Sequence, residues 1–186
     1  MNTSNASGAM IEFETTRFGS ISIPDSDVLN LPEGLVGFNL YHRFTILKDP
    51  EQEPFLWLQS LDEPDLAFVV VNPFLFFPGY EIKVKNSELA GIDLDDLAKA
   101  EVLTIVTIPS NPMDLTTNLR GPLVVNVEGK VAKQFVLIDD RYNTKHFLLH
   151  DIPPELAAPV DNPSAPNQDN VVELDARSRS DEGKQT

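Results

Sequence analysis

Short runs of alternating apolar and polar residues recur along this chain, with Gly, Pro, Asp and Asn in the gaps between them. Alternation with a period of two puts successive side chains on opposite faces, so each run predicts a strand buried on one side. The spacing predicts strands over residues 11–15 and 18–23, turning around Arg17, then over 28–31, 44–47, 55–59, 66–71, 82–84 and 102–108. A final hairpin, 123–127 and 131–138, turns at Glu128-Gly129-Lys130, where Gly129 is expected to supply the positive φ of a tight turn. One helix is expected over residues 93–100, with Asp93 as N-cap and Leu94 and Leu97 three apart on one face; a weaker helical signal covers 153–158. Many short strands with turn punctuation and no internal repeat predict a mainly β protein, a small closed or partly open antiparallel β-barrel-like fold with one or two short helices.

Composition divides the chain into three parts. Residues 1–9 are small and polar and are expected to form a disordered extension, with order starting at Met10. Residues 10–151 make the barrel-like body. Residues 152–186 are rich in Pro and acid and read as a disordered tail, in which Val171-Val172-Glu173-Leu174 is the one apolar island, able to dock on the body or a partner but more often a chance cluster. The net charge is −15, from 29 acids against 14 bases. Such a field repels nucleic acid and anionic membrane, whose binding needs clustered Lys and Arg. It favours basic protein partners, or simply solubility. With no cysteine, disulfides, thiolate metal sites and thiol nucleophiles are excluded. No apolar run reaches the roughly 20 residues of a membrane span, and the N-terminus lacks a secretion-signal pattern, so a cytoplasmic protein is expected; with no long flat edge or heptad in the pattern, a monomer is expected.

Each catalytic arrangement lacks a part. Ser60 has no G-x-S-x-G frame, and the histidines are His42, His146 and His150. The last two are four apart, but in extended chain they stand about 13 Å apart, too far to share a metal. Asp95-Asp96 and Asp139-Asp140 are adjacent pairs, usually solvated in turns. Phosphate loops and calcium-ligand spacings are missing. Phe74-Leu75-Phe76-Phe77, between two prolines, fits either a barrel corner or an exposed docking patch, and Trp57 reads as core. The run 116–134, TTNLRGPLVVNVEGKVAKQ, carries Thr, Asn, Arg and Gln that a hairpin does not need. These residues hydrogen-bond well and attack poorly, which points to loop shaping or protein recognition.

Several ordered signals carry a resemblance: T-x-x-F-G at 15–19, L-P-E-G-L-x-G-F at 31–38, P-F-x-x-L-Q-S-L at 54–61 and L-A-F-x-V-x-x-P at 66–73. T-I-P at 107–109, T-x-N-L-x-x-P-x-x-x-N at 116–126, A-K-Q at 132–134, and Tyr142 with Lys145-His146 continue the order. Together they resemble the flagellar assembly factor FliW family over nearly all of residues 10–150. The resemblance implies a cytoplasmic β-barrel-like protein without enzymatic activity and without cofactor. It also implies two protein partners: flagellin before its export, and CsrA, the RNA-binding translational regulator that FliW proteins antagonise. Residues 1–9 precede the usual family start, no family role extends to the tail, and Gly121 stands where Ala is more usual. Candidate partner-binding residues are Gln59, Ser60, Leu61, Thr117, Asn118, Leu119, Arg120, Gln134 and Phe135, with Asp62, Glu63 and Asp65 as a surface that repels RNA. Asn118 and Gln134 fit equally well as buried ties holding a loop to the barrel. A carboxylate-dependent hydrolase and a structural assembly subunit are the alternative classes.

Overall fold

The computed structural model describes residues 8–150 and the backbone of residues 172–173. Its strands are β1 Met10–Thr15, β2 Gly19–Pro24, β3 Leu29–Asn30, β4 Arg43–Lys48, β5 Leu56–Ser60 and β6 Ala67–Val71. They continue as β7 Ala100–Thr107, β8 Thr116–Thr117, β9 Leu123–Asn126, β10 Val131–Gln134, β11 His146–Phe147 and β12 Val172–Glu173. The strands in order β7-β6-β5-β4-β3-β10-β9 close into a seven-stranded barrel because β9 pairs back onto β7. The eight-residue β7 makes this possible: Ala100–Leu103 run beside β9, Thr104 and Ile105 beside β6, and Val106 and Thr107 beside β8. All of these pairs are antiparallel except β3 with β10.

Both faces of the wall are buried. Leu29, Phe44, Ile46, Leu58, Val70, Leu103, Leu123 and Val125 fill the barrel. On the outer face Leu47, Trp57, Val71, Val102 and Val124 are covered by the β1–β2 hairpin and by the long connections around Phe77, Tyr80, Leu119 and Tyr142. Two-sided burial explains why β6 reads as an unbroken Ala-Phe-Val-Val-Val run instead of alternating. The hairpin forms a separate two-stranded sheet. Phe18 meets Trp57 edge-on at 5.5 Å, and the Arg17 guanidinium lies 4.3 Å from the Trp57 ring centroid. Trp57 is core, as expected, and its indole N–H donates to Gln52 Oε1 at 3.0 Å.

Several local expectations are corrected. No helix spans 93–100: a single α-helical turn lies earlier, at Asn86–Leu89, and Leu97–Lys99 form one 3-10 turn capped by Asp96. Pairing of Ala100 and Glu101 with Asn126 and Val125 claims the end of that segment for β7, and Asp93 takes a left-handed φ of 56°. Residues 82–84 form no strand, and β10 stops at Gln134, although Phe135 and Leu137 still donate backbone hydrogen bonds to Pro122 and Arg120. In the final hairpin Lys130, not Gly129, carries positive φ (52°). Gly129 instead lets the Asn126 side chain approach: a Cβ there would sit 2.7 Å from Asn126 Nδ2, and Asn126 Oδ1 accepts the Gly129 N–H at 2.9 Å. Of the Phe74–Phe77 group, Phe77 is fully buried and Phe74 and Phe76 pack on the core, leaving Leu75 exposed.

Candidate protein-binding surface

Most of the polar candidates turn inward. Gln59 is fully buried, and its Nε2 donates to the carbonyls of Ser60 and Leu66 at 3.0 and 3.1 Å, shaping the turn into β6. Ser60 Oγ accepts the N–H groups of Asp62 and Glu63, both at 3.1 Å, and Leu61 is core. Thr117 is buried, with its hydroxyl 2.8 Å from that of Thr104 and 3.1 Å from the Ile105 carbonyl. Leu119 and Phe135 are buried. Asn118 Oδ1 finds no hydrogen-bond partner among the described residues, and its Nδ2 lies 2.7 Å from where a Cβ on Gly121 would stand. Arg120 is exposed, with Nε donating to the Leu137 carbonyl at 3.3 Å. The 59–65 and 117–135 groups therefore do not meet as one polar site.

What joins them is the loop between β3 and β4. At one end the Val36 N–H donates to Gln134 Oε1 at 2.9 Å, while Gln134 Nε2 donates to the Gly121 carbonyl at 3.1 Å. At the other end Asp62 Oδ2 accepts the N–H groups of His42 and Arg43 at 2.7 and 2.9 Å, and Arg43 Nε reaches Oδ1 at 2.8 Å. Partial burial works to raise the Asp62 pKa, but these hydrogen bonds and the Arg43 charge outweigh it and hold it below the usual carboxylate range. Asp62 thus stays ionised and clamps the loop. In between, Phe38 N–H donates to the Leu35 carbonyl at 2.8 Å to close a tight turn. Gly34, at φ +65°, leaves no room for a Cβ, which would stand 2.7 Å from Asn39 Cα and 2.8 Å from the Phe38 oxygen. Gly34→Ala is expected to lower stability by about 2–3 kcal/mol through backbone strain and clash, read as a shift in the urea midpoint at unchanged m-value.

This rigid loop holds apolar side chains in solvent. Val36 is 68% exposed and Leu40 78%, while Phe38 is partly covered by an edge-on contact with Phe68 at 5.0 Å. Past Gln134, to which the Val36 N–H is bonded, Val136 and Ile138 are also exposed and alternate with the buried Phe135 and Leu137. Contiguous exposed apolar surface with a polar rim marks a protein contact. Carboxylates flank it near the clamp: Glu63 half-buried, and Asp65 exposed with the Thr16 hydroxyl donating to it. The pattern missed this loop because Gly and Pro made it read as punctuation. The available signal was Leu35, Val36, Phe38 and Leu40 within a stretch too turn-rich to bury them all.

The histidines are occupied locally. His146 Nε2 accepts the Asn143 N–H at 2.9 Å, and burial pushes its pKa down, so it is held neutral. His150 stacks on Phe147 with ring centroids 4.3 Å apart. Among the described residues no group of His, Asp or Glu could hold a metal ion, and no helix is long and apolar enough to cross a membrane.

Fold and surface together define a small closed-barrel domain with an outer β-hairpin and an apolar, acid-flanked loop. Comparison with known proteins makes this specific. The FliW family model matches residues 12–148. The flagellar assembly factor FliW of Alkaliphilus metalliredigens is 38% identical over 140 residues, covering 75% of this chain and 86% of that protein. The corresponding factor of Geotalea uraniireducens is 41% identical over 132 residues, covering 71% and 80%. A crystal structure of the flagellar assembly factor FliW superposes with a TM-score of 0.71 at 33% identity, covering 76% of this chain and 99% of that one. The chain belongs to the FliW family of flagellar assembly factors.

Proposed function

We propose that the chain works stoichiometrically in the cytoplasm, binding flagellin and the translational regulator CsrA, with no substrate converted. Flagellin that accumulates occupies the chain and leaves CsrA free to silence flagellin mRNA; export of flagellin returns the chain to CsrA. The observation that carries this reading is the apolar loop of residues 36–42, clamped at both ends and flanked by acid. A pre-shaped surface binds without an ordering cost. With a net charge of −15 the chain attracts a basic, RNA-binding partner, and carboxylates docked beside an RNA groove repel phosphates within about 8 Å at physiological salt.

The test is co-purification with flagellin and CsrA from one cell, followed by competition between them. Capture of neither partner at micromolar concentration sinks the reading. The electrostatic part has its own test in Glu63→Gln combined with Asp65→Asn, which leaves the Asp62 clamp intact. Association with CsrA is expected to slow several-fold at low salt and to lose part of its salt dependence. An unchanged salt dependence would remove these two acids from the mechanism.

A further inference from the structure

The barrel wall is incomplete at one end. On its β3 side, β4 is covered only at Phe44 and Arg43, opposite Leu29 and Asn30. Upstream of Leu29 the chain leaves the wall through the 3-10 turn Asp25–Asp27, and β10 reaches β3 only at Val131 opposite Asn30. The later residues of β4 thus lie beyond the reach of β3. Between β4 and β9 this leaves a slot of about 20 Å³, floored by Ile46, Val125, Val127 and Glu101, with Asp27 and Lys130 also lining it. That volume holds about one water, so no partner side chain can enter; what the site offers is a backbone edge.

This edge is where β12 lies. Val172 pairs in parallel with Leu47, and Glu173 with Lys48, in the place β3 vacates. The strand comes from the one apolar island of a segment otherwise dominated by Pro, Asn, Asp and Ser. An open edge invites pairing with other chains, and covering it is a known protective device. We propose that the β4 edge at residues 45–48 is a strand-accepting interaction surface whose occupant is the chain's own strand Val172–Glu173, a latch in cis that an extended segment from any partner must displace.

Magnitudes make the latch releasable. A two-residue ladder contributes a few hydrogen bonds at about 1 kcal/mol net each, less the entropy of ordering the segment. A tether of roughly 20 residues supplies an effective concentration on the order of millimolar. Even weak pairing is then occupied in cis, and a partner of ordinary affinity overcomes it. The inference stands apart from the choice of flagellin or CsrA as partner.

The full-length chain has no cysteine, so a pair of introduced thiols is a clean reporter. Lys48→Cys with Glu173→Cys places the two on neighbouring strands, within the Cα separation a disulfide needs. Under mild oxidation at low concentration this variant is expected to close an intramolecular disulfide at least tenfold faster than Lys48→Cys with Gln185→Cys. Equal rates, or disulfides that link two copies instead, overturn the proposal. Independently, Val172→Pro removes a backbone donor and is expected to raise hydrogen exchange across residues 45–48 several-fold while the β5–β6 ladder stays protected. Unchanged exchange at those residues also overturns it.

Discussion

Replacing Val36 and Leu40 together by aspartate is expected to weaken binding of at least one partner by about 100-fold or more, with no loss of fold. Each side chain buried at an interface contributes about 1.5–3 kcal/mol, and an unpaired carboxylate put in its place adds a desolvation cost. About 3–5 kcal/mol in total corresponds to roughly 10²–10⁴ in affinity. At 68% and 78% exposure, neither residue supports the core, so the urea midpoint should move little. Calorimetric titration of the variant with purified flagellin and with CsrA reads the effect. Loss of one partner alone would separate the two binding sites. Undiminished affinity for both would move the docking surface elsewhere.

The second large effect concerns Glu101. It is only 8% exposed, its neighbours in the slot are mainly apolar, and burial raises its pKa from 4.5 to about 7 despite the nearby Lys130 charge. Between those two values the folded chain holds a proton that the unfolded chain has released. Folding stability from this group is therefore greatest below pH 4.5, falls as pH rises, and reaches its minimum above pH 7. The total change is about 3 kcal/mol. Glu101→Gln keeps the shape and removes the charge, so the variant should be more stable than the parent at pH 8 by up to that amount and similar to it near pH 4.5. Ionised carboxylates such as Asp62 and Asp139, whose pKa values are lowered, act in the opposite sense, as does neutral His146, so the informative quantity is the difference between the two chains. Urea unfolding at both pH values measures it. Parallel pH profiles for parent and variant would show that Glu101 reaches water when it ionises.

Much of the barrel was legible because alternation and turn residues are local signals. The strands β1, β2, β4, β5, β6, β7 and β9 fall within a residue or two of expectation. What failed depended on distant partners. Residues 93–100 carry fair helix propensity, yet β9 draws Ala100 and Glu101 into the wall, a tertiary demand no window of sequence contains. Two-residue strands such as β8 and β11 are too short to leave a period. The polar candidates were singled out because packing alone did not call for them, but the pattern does not say which way a Gln or Thr points. Gln59 and Thr117 satisfy carbonyls inside the fold, whereas Gln134 and Asp62 hold a loop whose own side chains make the exposed surface. Gly34 and Gly37 read as breakers when they are what lets the backbone double back and keep Val36 and Leu40 outside.

Ring closure through β3–β10 and β7–β9 has a consequence during synthesis. The ribosome makes β3 early, but its neighbour in the wall, β10, emerges only once residues 131–134 have been translated, and β7 likewise waits for residues 123–126. Until then only the earlier pairings, from β3 through β7 and within the β1–β2 hairpin, are available, and the ring is open at the edges of β3 and β7. The barrel can shut only after most of the chain has left the exit tunnel. Closure therefore rests on long-range pairings, which are the slow kind to form, and a helper that shields those edges would act in that interval.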